Sequence, residues 1–171
     1  MAGSMPAVFQ IDYSTREYLF LTENVKQVIG FSAREIKERG LDFTIKSMDP
    51  LFLKNLNENI YPSIFRSLRN YKQSEHADHT FSFNFRIKNK TGVMQDLCQR
   101  SVYSTSEETG MPLFCRSTAL NISEYKNDNR VLLWAEKPLS VGHRLKSEER
   151  IFIRLKKIPA LQSKKSLCFS G

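Results

Sequence analysis

The run Phe81-Ser82-Phe83-Asn84-Phe85-Arg86-Ile87-Lys88 alternates apolar and polar residues without exception. Successive side chains of a strand point to opposite faces, so this period puts Phe81, Phe83, Phe85 and Ile87 against a core and Ser82, Asn84, Arg86 and Lys88 toward solvent. The pattern is that of a half-buried antiparallel strand, and it demands a sheet with one face covered. Asn89-Lys90-Thr91-Gly92 supplies a turn, with Gly92 able to take positive φ. Val93 to Tyr103 and Leu113 to Ile122 continue as two more strands around the polar loop Ser104 to Gly110.

The cover for that sheet lies upstream. Val8 to Tyr13 and Tyr18 to Leu21 are short, aromatic and β-branched, and a four-residue loop joins them as a hairpin. Helical signals come next. Val25, Val28 and Ile29 share a face, and Gly30 closes that helix. Ser32-Ala33-Arg34-Glu35 is a capping box, with Gly40 as the end of the second helix. Asp49-Pro50 starts the longest helix, Asp49 as cap and Pro50 at the first helical position, where a missing N–H costs nothing. Leu53, Leu56, Ile60, Ile64 and Leu68 fall on one face of it. Pro62 removes one backbone hydrogen bond, so a kink or break is expected near Glu58. Asn70 to Asp78 reads as a polar loop, with His76 and His79 as a solvated pair. Two strands from the start and three from the end make one five-stranded antiparallel sheet with helices on one face, an α+β fold.

At 171 residues there is room for one domain and an extension. The expected division is a flexible end at 1–7, a domain over 8–126 and a basic extension over 127–171, read as a truncated output region. Net charge is +8. From Arg130 onward ten basic residues face three acidic ones, so +7 lies there and +1 in residues 1–129. Such a tail suits nucleic acid or an anionic surface, and a nucleic-acid-associated protein is the alternative reading of the chain. Val131 to Ala135 and Ile151 to Leu155 look like strands, and Pro159 interrupts the chain beyond them. No run of about 18 apolar residues exists to cross a membrane. Cys98, Cys115 and Cys168 are too few and too widely spaced for a disulfide framework or a Cys-x-x-Cys zinc site, which points to reduced thiols and the cytoplasm.

Catalytic patterns are missing. The seven glycines form no phosphate-binding loop, and no Gly-x-Ser-x-Gly elbow occurs. Asp12, Glu17 and Glu23 surround a hairpin, where solvent accounts for them. The chain is expected not to be an enzyme and to hold no metal.

The ordered set of marks resembles a PAS domain from about Phe9 to Tyr125. These marks are Asp12-Tyr13, Tyr18-Leu19-Phe20, Asn24-Val25 leading to Gly30-Phe31, Leu41-Asp42-Phe43 and Asp49-Pro50. They continue with the Phe81 to Lys88 strand and its Asn/Lys/Gly turn, and end on Asn121-Ile122-Ser123-Glu124-Tyr125, similar to the Asp-Ile-Thr-Glu close of such domains. Tyr61-Pro62 and Ser82 to Arg86 look closer to the N-terminal sensory PAS domain of bacterial LuxR-type transcriptional regulators. The helix-turn-helix of those regulators has no counterpart after Tyr125. The resemblance implies a cytoplasmic sensory or regulatory module that acts by a ligand- or partner-dependent change of dimer geometry or packing. It implies a homodimer, DNA reached only through a separate output domain, and no membrane contact. No Asn-Cys-Arg-Phe-Leu-Gln flavin motif is present, and no histidine lies between Asp49 and Tyr71 to ligate haem, so no cofactor is expected. A small apolar ligand would sit between sheet and helices, with Ile60, Ile64, Phe81, Phe83, Phe85 and Ile87 as lining candidates. Val8, Leu113 and Phe114 are the apolar residues expected to contribute to a partner contact, and the run Val131 to Trp134 either extends the fold or joins such a contact.

Overall fold

The computed structural model describes residues 5–126, 128, 130–137 and 146–154. The first hairpin pairs β1 (Ala7–Asp12) with β2 (Glu17–Leu21). Its turn is organised by Asp12, whose Oδ1 accepts from the Ser14 amide at 2.8 Å and the Ser14 hydroxyl at 2.6 Å. The register shifts between Gln10 and Ile11, so Phe9 and Ile11 both face the core beside Leu21 and Tyr18, and Leu19 is turned out to solvent. A bulge of this kind lets a strand keep its core face while its partner gains a residue.

Helix α1 (Val25–Ile29) ends on Gly30 at φ +82°. The positive φ favours glycine, and a Cβ there would press on the Lys90 side chain at 3.1 Å. Helix α2 (Ala33–Ser47) opens on the expected capping box, with both reciprocal bonds made: Glu35 N–H to Ser32 Oγ at 3.2 Å, and Ser32 N–H to Glu35 Oε2 at 2.8 Å. As expected, the helical path stops at Gly40, which sits at φ +73° and ψ −179°, and a second helical piece follows it through Ser47.

Asp49 caps α3 (Pro50–Asn55), accepting from the Leu51 amide at 2.8 Å. The irregularity expected near Glu58 from Pro62 is there, as a wider turn and not as a break. A π turn over Leu56–Ile60 carries the helix into α4 (Tyr61–Leu68), with Tyr61 N–H bonded to the Leu56 carbonyl five residues back. The wider turn absorbs the proline while keeping Leu56, Ile60, Ile64 and Leu68 on the buried side. Two backbone contacts pin this cover to the sheet: the Asp49 amide donates to the Arg86 carbonyl at 2.9 Å, and Met48 bridges Ile87.

The segment Asn70 to Asp78 is not an open loop. It contains a 3-10 turn over Gln73–Asp78, and His76 and His79 are 7% and 3% exposed rather than solvated. His76 places Nδ1 2.9 Å from Thr105 Oγ1 and Nε2 2.9 Å from the Leu68 carbonyl, so it ties α4 to the sheet. Neither the Leu68 carbonyl nor the distant Thr105 hydroxyl shows itself in local sequence.

Strands β3 (Thr80–Lys88), β4 (Met94–Thr105) and β5 (Pro112–Asn121) form the expected meander, joined to the hairpin by β1–β5 pairing. Among the described residues the sheet has seven strands, two more than expected. β6 (Arg130–Lys137) pairs with the free edge of β3, and β7 (Lys146–Arg154) with β6, all antiparallel, in the order β2-β1-β5-β4-β3-β6-β7. Hydrogen bonding therefore continues past Lys126, where the sequence suggested the domain would stop. The crossing is anchored by Lys126, whose side chain is 10% exposed and whose Nζ lies 3.4 Å from Asp96 Oδ1 and 3.6 Å from Asp128 Oδ1.

β6 also explains a departure on β3. Ser82 and Asn84, expected toward solvent, are buried. Asn84 extends the ladder with its side chain, donating to the Arg130 carbonyl at 3.0 Å and accepting from the Leu132 amide at 2.7 Å. The Arg100–Glu136 ion pair, 2.7 Å, spans β3 from one neighbouring strand to the other. The tail residues Arg144, Lys156, Lys157, Lys164 and Lys165, with Cys168 and Pro159, lie outside the described residues, as do 1–4 of the N-terminal end.

Candidate functional site

A cavity of about 870 Å³ lies between the sheet and its helical cover. That is within the range of small-molecule sites, roughly 300–1,000 Å³. Its floor is the inner face of β1 and β5, with Ala7, Phe9, Ile11 and Ala119, flanked by Leu97 and Gln99 of β4. Its roof is α1, the kinked α2 and the start of α4, with Val28, Ile36, Leu41, Thr44 and Tyr61. The space exists because small residues meet there: Ala7 lies opposite Ala119, and Ala119 opposite Gln99.

The six lining candidates divide. Phe85 and Ile87 are on the cavity wall. Ile60, Ile64, Phe81 and Phe83 are fully buried in the core and are not among the lining residues. The two groups touch: Phe65 of the lining meets Tyr103 edge-on at 5.6 Å, and Tyr61 of the lining meets Phe83 at 6.2 Å. Phe81 and Phe83 fill the interior beside the cavity, whereas the alanines of β1 and β5 lie on its floor. Those alanines were the available signal, since a small residue at an inward position of a central strand leaves room above it.

Polar groups underlie the floor as a connected rack. Gln99 Nε2 donates to Ser101 Oγ at 2.8 Å, and Ser101 and Ser117 hydroxyls share a bond of 2.8 Å. Tyr13 donates to Cys115 Sγ at 3.5 Å, and the Tyr18 hydroxyl to Thr44 Oγ1 at 3.0 Å. Burial raises the phenols of Tyr13 and Tyr61, and lifts Tyr18 to about 12, so the cavity tyrosines stay neutral. The Tyr103 hydroxyl, at the base of the packed cluster, is buried with no hydrogen-bond partner.

Cys98 and Cys115 do not meet. Cys98 pairs with Leu120 on the outer face, whereas Cys115 pairs with Tyr103 on the inner one. Burial raises both thiols, which keeps them protonated and poor nucleophiles. Among the described residues no group of three or more His, Cys, Asp or Glu could hold a metal ion. No described helix is long and apolar enough to cross a membrane.

No family model matches the chain, and no curated protein does. Solved structures do. One is the N-terminal domain of a diguanylate cyclase with PAS/PAC sensor from Marinobacter aquaeolei, at TM-score 0.49 and 9% identity over 70% of this chain and 97% of that one. A sensory box histidine kinase/response regulator from Burkholderia thailandensis has TM-score 0.44 and 15% identity over 71% and 79%. The PAS-B domain of Cycle from Drosophila melanogaster, with bound glycerol, has TM-score 0.47 and 12% identity over 67% and 98%. The architecture is α+β, an antiparallel sheet with helices on one face. Its five central strands run β2-β1-β5-β4-β3, its helices fill the β2–β3 connection on one face, and β6–β7 is an addition at the β3 edge.

Proposed function

We propose that this chain is a non-enzymatic sensory module of a signal-transduction protein, which takes a small molecule into the cavity and answers by repacking the helical cover. The cavity carries this reading: its walls are mainly apolar side chains, its volume suits a metabolite, and its roof is made of short helices. A roof with a kink at Gly40 and a π turn at Leu56–Ile60 has joints where helix pieces shift against one another. The finer form of the proposal is a module like the sensory half of LuxR-type regulators, supported by Tyr61-Pro62 and the Ser82 to Arg86 strand, with DNA reached through an output domain.

A homodimer is the second part of the reading. Val8, Phe20, Phe114 and Leu120 are exposed, and their registers place them all on the outer face of β1, β2 and β5, opposite the helices. Exposed apolar residues gathered on one face favour a protein partner. A ligand that moves the roof bends the sheet beneath it and thereby changes what the outer face presents.

Native mass spectrometry of the purified full chain tests both parts. The expected result is a dimer carrying an added mass that is released on denaturation, and that is lost in Ala119→Leu. A monomer removes the dimer mechanism. A bare chain that also fails to take up a neutral apolar dye removes the ligand.

A further inference from the structure

The cavity has a direction. Its lining follows β1 from Ala7 through Phe9 and Ile11 to Tyr13, roughly 20 Å at the rise of a strand, with Ala119 of β5 beside Ala7 and Pro112 at the far end. Around Ala119 stand Ala7, Leu21, Val25 and Val28, all apolar. At the Pro112 end stand the charged residues of the lining, and all three are arginines: Arg16, Arg66 and Arg69. Their position at that end is fixed by independent contacts. Arg16 belongs to the turn just after Tyr13, whose amide donates to the Leu113 carbonyl at 2.9 Å. Arg69 Nε lies 3.7 Å from where a Cβ on Gly110 would be, two residues before Pro112. Arg66 is one helical turn before Arg69 on α4.

No carboxylate lines the cavity to offset these charges. Arg16 is ion-paired with Asp42. Among the described residues, Arg66 and Arg69 have no ion pair, and Glu107 and Glu108 on the neighbouring hairpin turn make none with them. Two unpaired guanidiniums at the mouth of a long apolar channel are complementary to one carboxylate at the end of an apolar chain.

We infer that the ligand is an elongated amphipathic acid, an acyl-chain carboxylate whose head is held by Arg66 and Arg69 and whose tail runs along the β1–β5 floor toward Ala7 and Ala119. This rests on the reading of the cavity as a ligand site and adds the chemistry of the ligand. A compact ring or a neutral chain leaves the arginines unanswered, and a cationic chain is repelled by them.

The test uses the full chain and three probes: the neutral dye N-phenyl-1-naphthylamine, dodecanoate, and dodecanol, all below micellar concentrations. The expected result is that the dye fluoresces in the cavity and that dodecanoate displaces it at about tenfold lower concentration than dodecanol, the worth of one charge-assisted hydrogen bond at a partly exposed site. Rising salt should narrow that preference. Arg66→Gln/Arg69→Gln should abolish the preference for acid over alcohol and leave Tm unchanged, because both side chains are exposed. Dye uptake with equal displacement by acid and alcohol overturns the acid and spares the cavity reading. A preference that survives the double substitution overturns the role of the arginines. No uptake of any probe overturns the cavity reading itself.

Discussion

The two halves of the interior are built on opposite terms. Beneath α3 and α4, the phenylalanines of β3 interleave with Ile60, Ile64, Leu68 and Tyr103, each 1% exposed or less apart from Phe85. Beneath α1, α2 and the outer side of α4, β1 and β5 send Ala7 and Ala119 inward beside Phe9 and Ile11, and the helices span an open channel. One sheet supports both. What differs is the side-chain volume each strand sends inward: the packed half provides the stability, and the open half spends some of it on a site. The helices differ in how they are held as well. The packed half is closed by aromatic and aliphatic contact. The open half is latched at its rim by polar contacts, such as Lys90 Nζ to Glu35 Oε1 at 2.6 Å and the Lys90 amide to the Ile29 carbonyl at 3.0 Å.

The sharpest way to break this comparison is to exchange the two behaviours. Phe83→Ala should cost about 3–5 kcal/mol by urea denaturation, because it opens a new void in the packed half. A cost below about 1 kcal/mol would mean that half is not packed as described. Tyr103→Phe should stabilise by about 1 kcal/mol in the same assay, since the buried hydroxyl has no partner to lose. Ala119→Leu, in the open half, should change stability by less than about 1 kcal/mol because it grows into existing space. It should nonetheless abolish dye binding, and a large loss of stability would show that the floor has no room.

The smallest effect concerns the latch. The Lys90 ammonium, the Ser32 amide and the Ser32 hydroxyl hold the Glu35 carboxyl down at about 2. A carboxylate depressed in the folded state adds stability above its unfolded pKa, near 4.3, and loses it as pH falls toward 2. Wild-type Tm should therefore fall across that window more steeply than the Tm of Glu35→Gln. Parallel acid profiles would remove the latch from the account. Acid should also raise hydrogen exchange in α1 and α2 before α4.

Much of the fold was legible because its signals are local. The Phe81 to Lys88 period, the Ser32/Glu35 box and the Asp49-Pro50 start each reside within a few residues, and each appears in the structure where the sequence places it. The failures share a different cause. Pro62 signalled a kink or break near Glu58 because a missing N–H is local, but that it takes the form of a π turn keeping Ile60 and Ile64 in one buried row is tertiary. His76 looked solvated because its partners, Leu68 and Thr105, are 8 and 29 residues away. The β6 strand was visible as a strand, but its pairing with β3 was not, since an edge advertises nothing about what will cover it.

The candidate site shows the same division. Alternation alone decided which residues of each strand face inward, and it placed Phe85 and Ile87 on the wall. It did not say which part of the inner face would be filled. That depended on which strands became neighbours: β5 was inserted between β1 and β4, so Ala119 came to lie between Ala7 and Gln99, and two alanines met under one roof. The arginines at the mouth come from a hairpin turn and from the end of a helix some fifty residues later, and only the folded chain sets them at one end of a channel. Periodicity is a property of neighbours in sequence, whereas an empty volume is a property of neighbours in space.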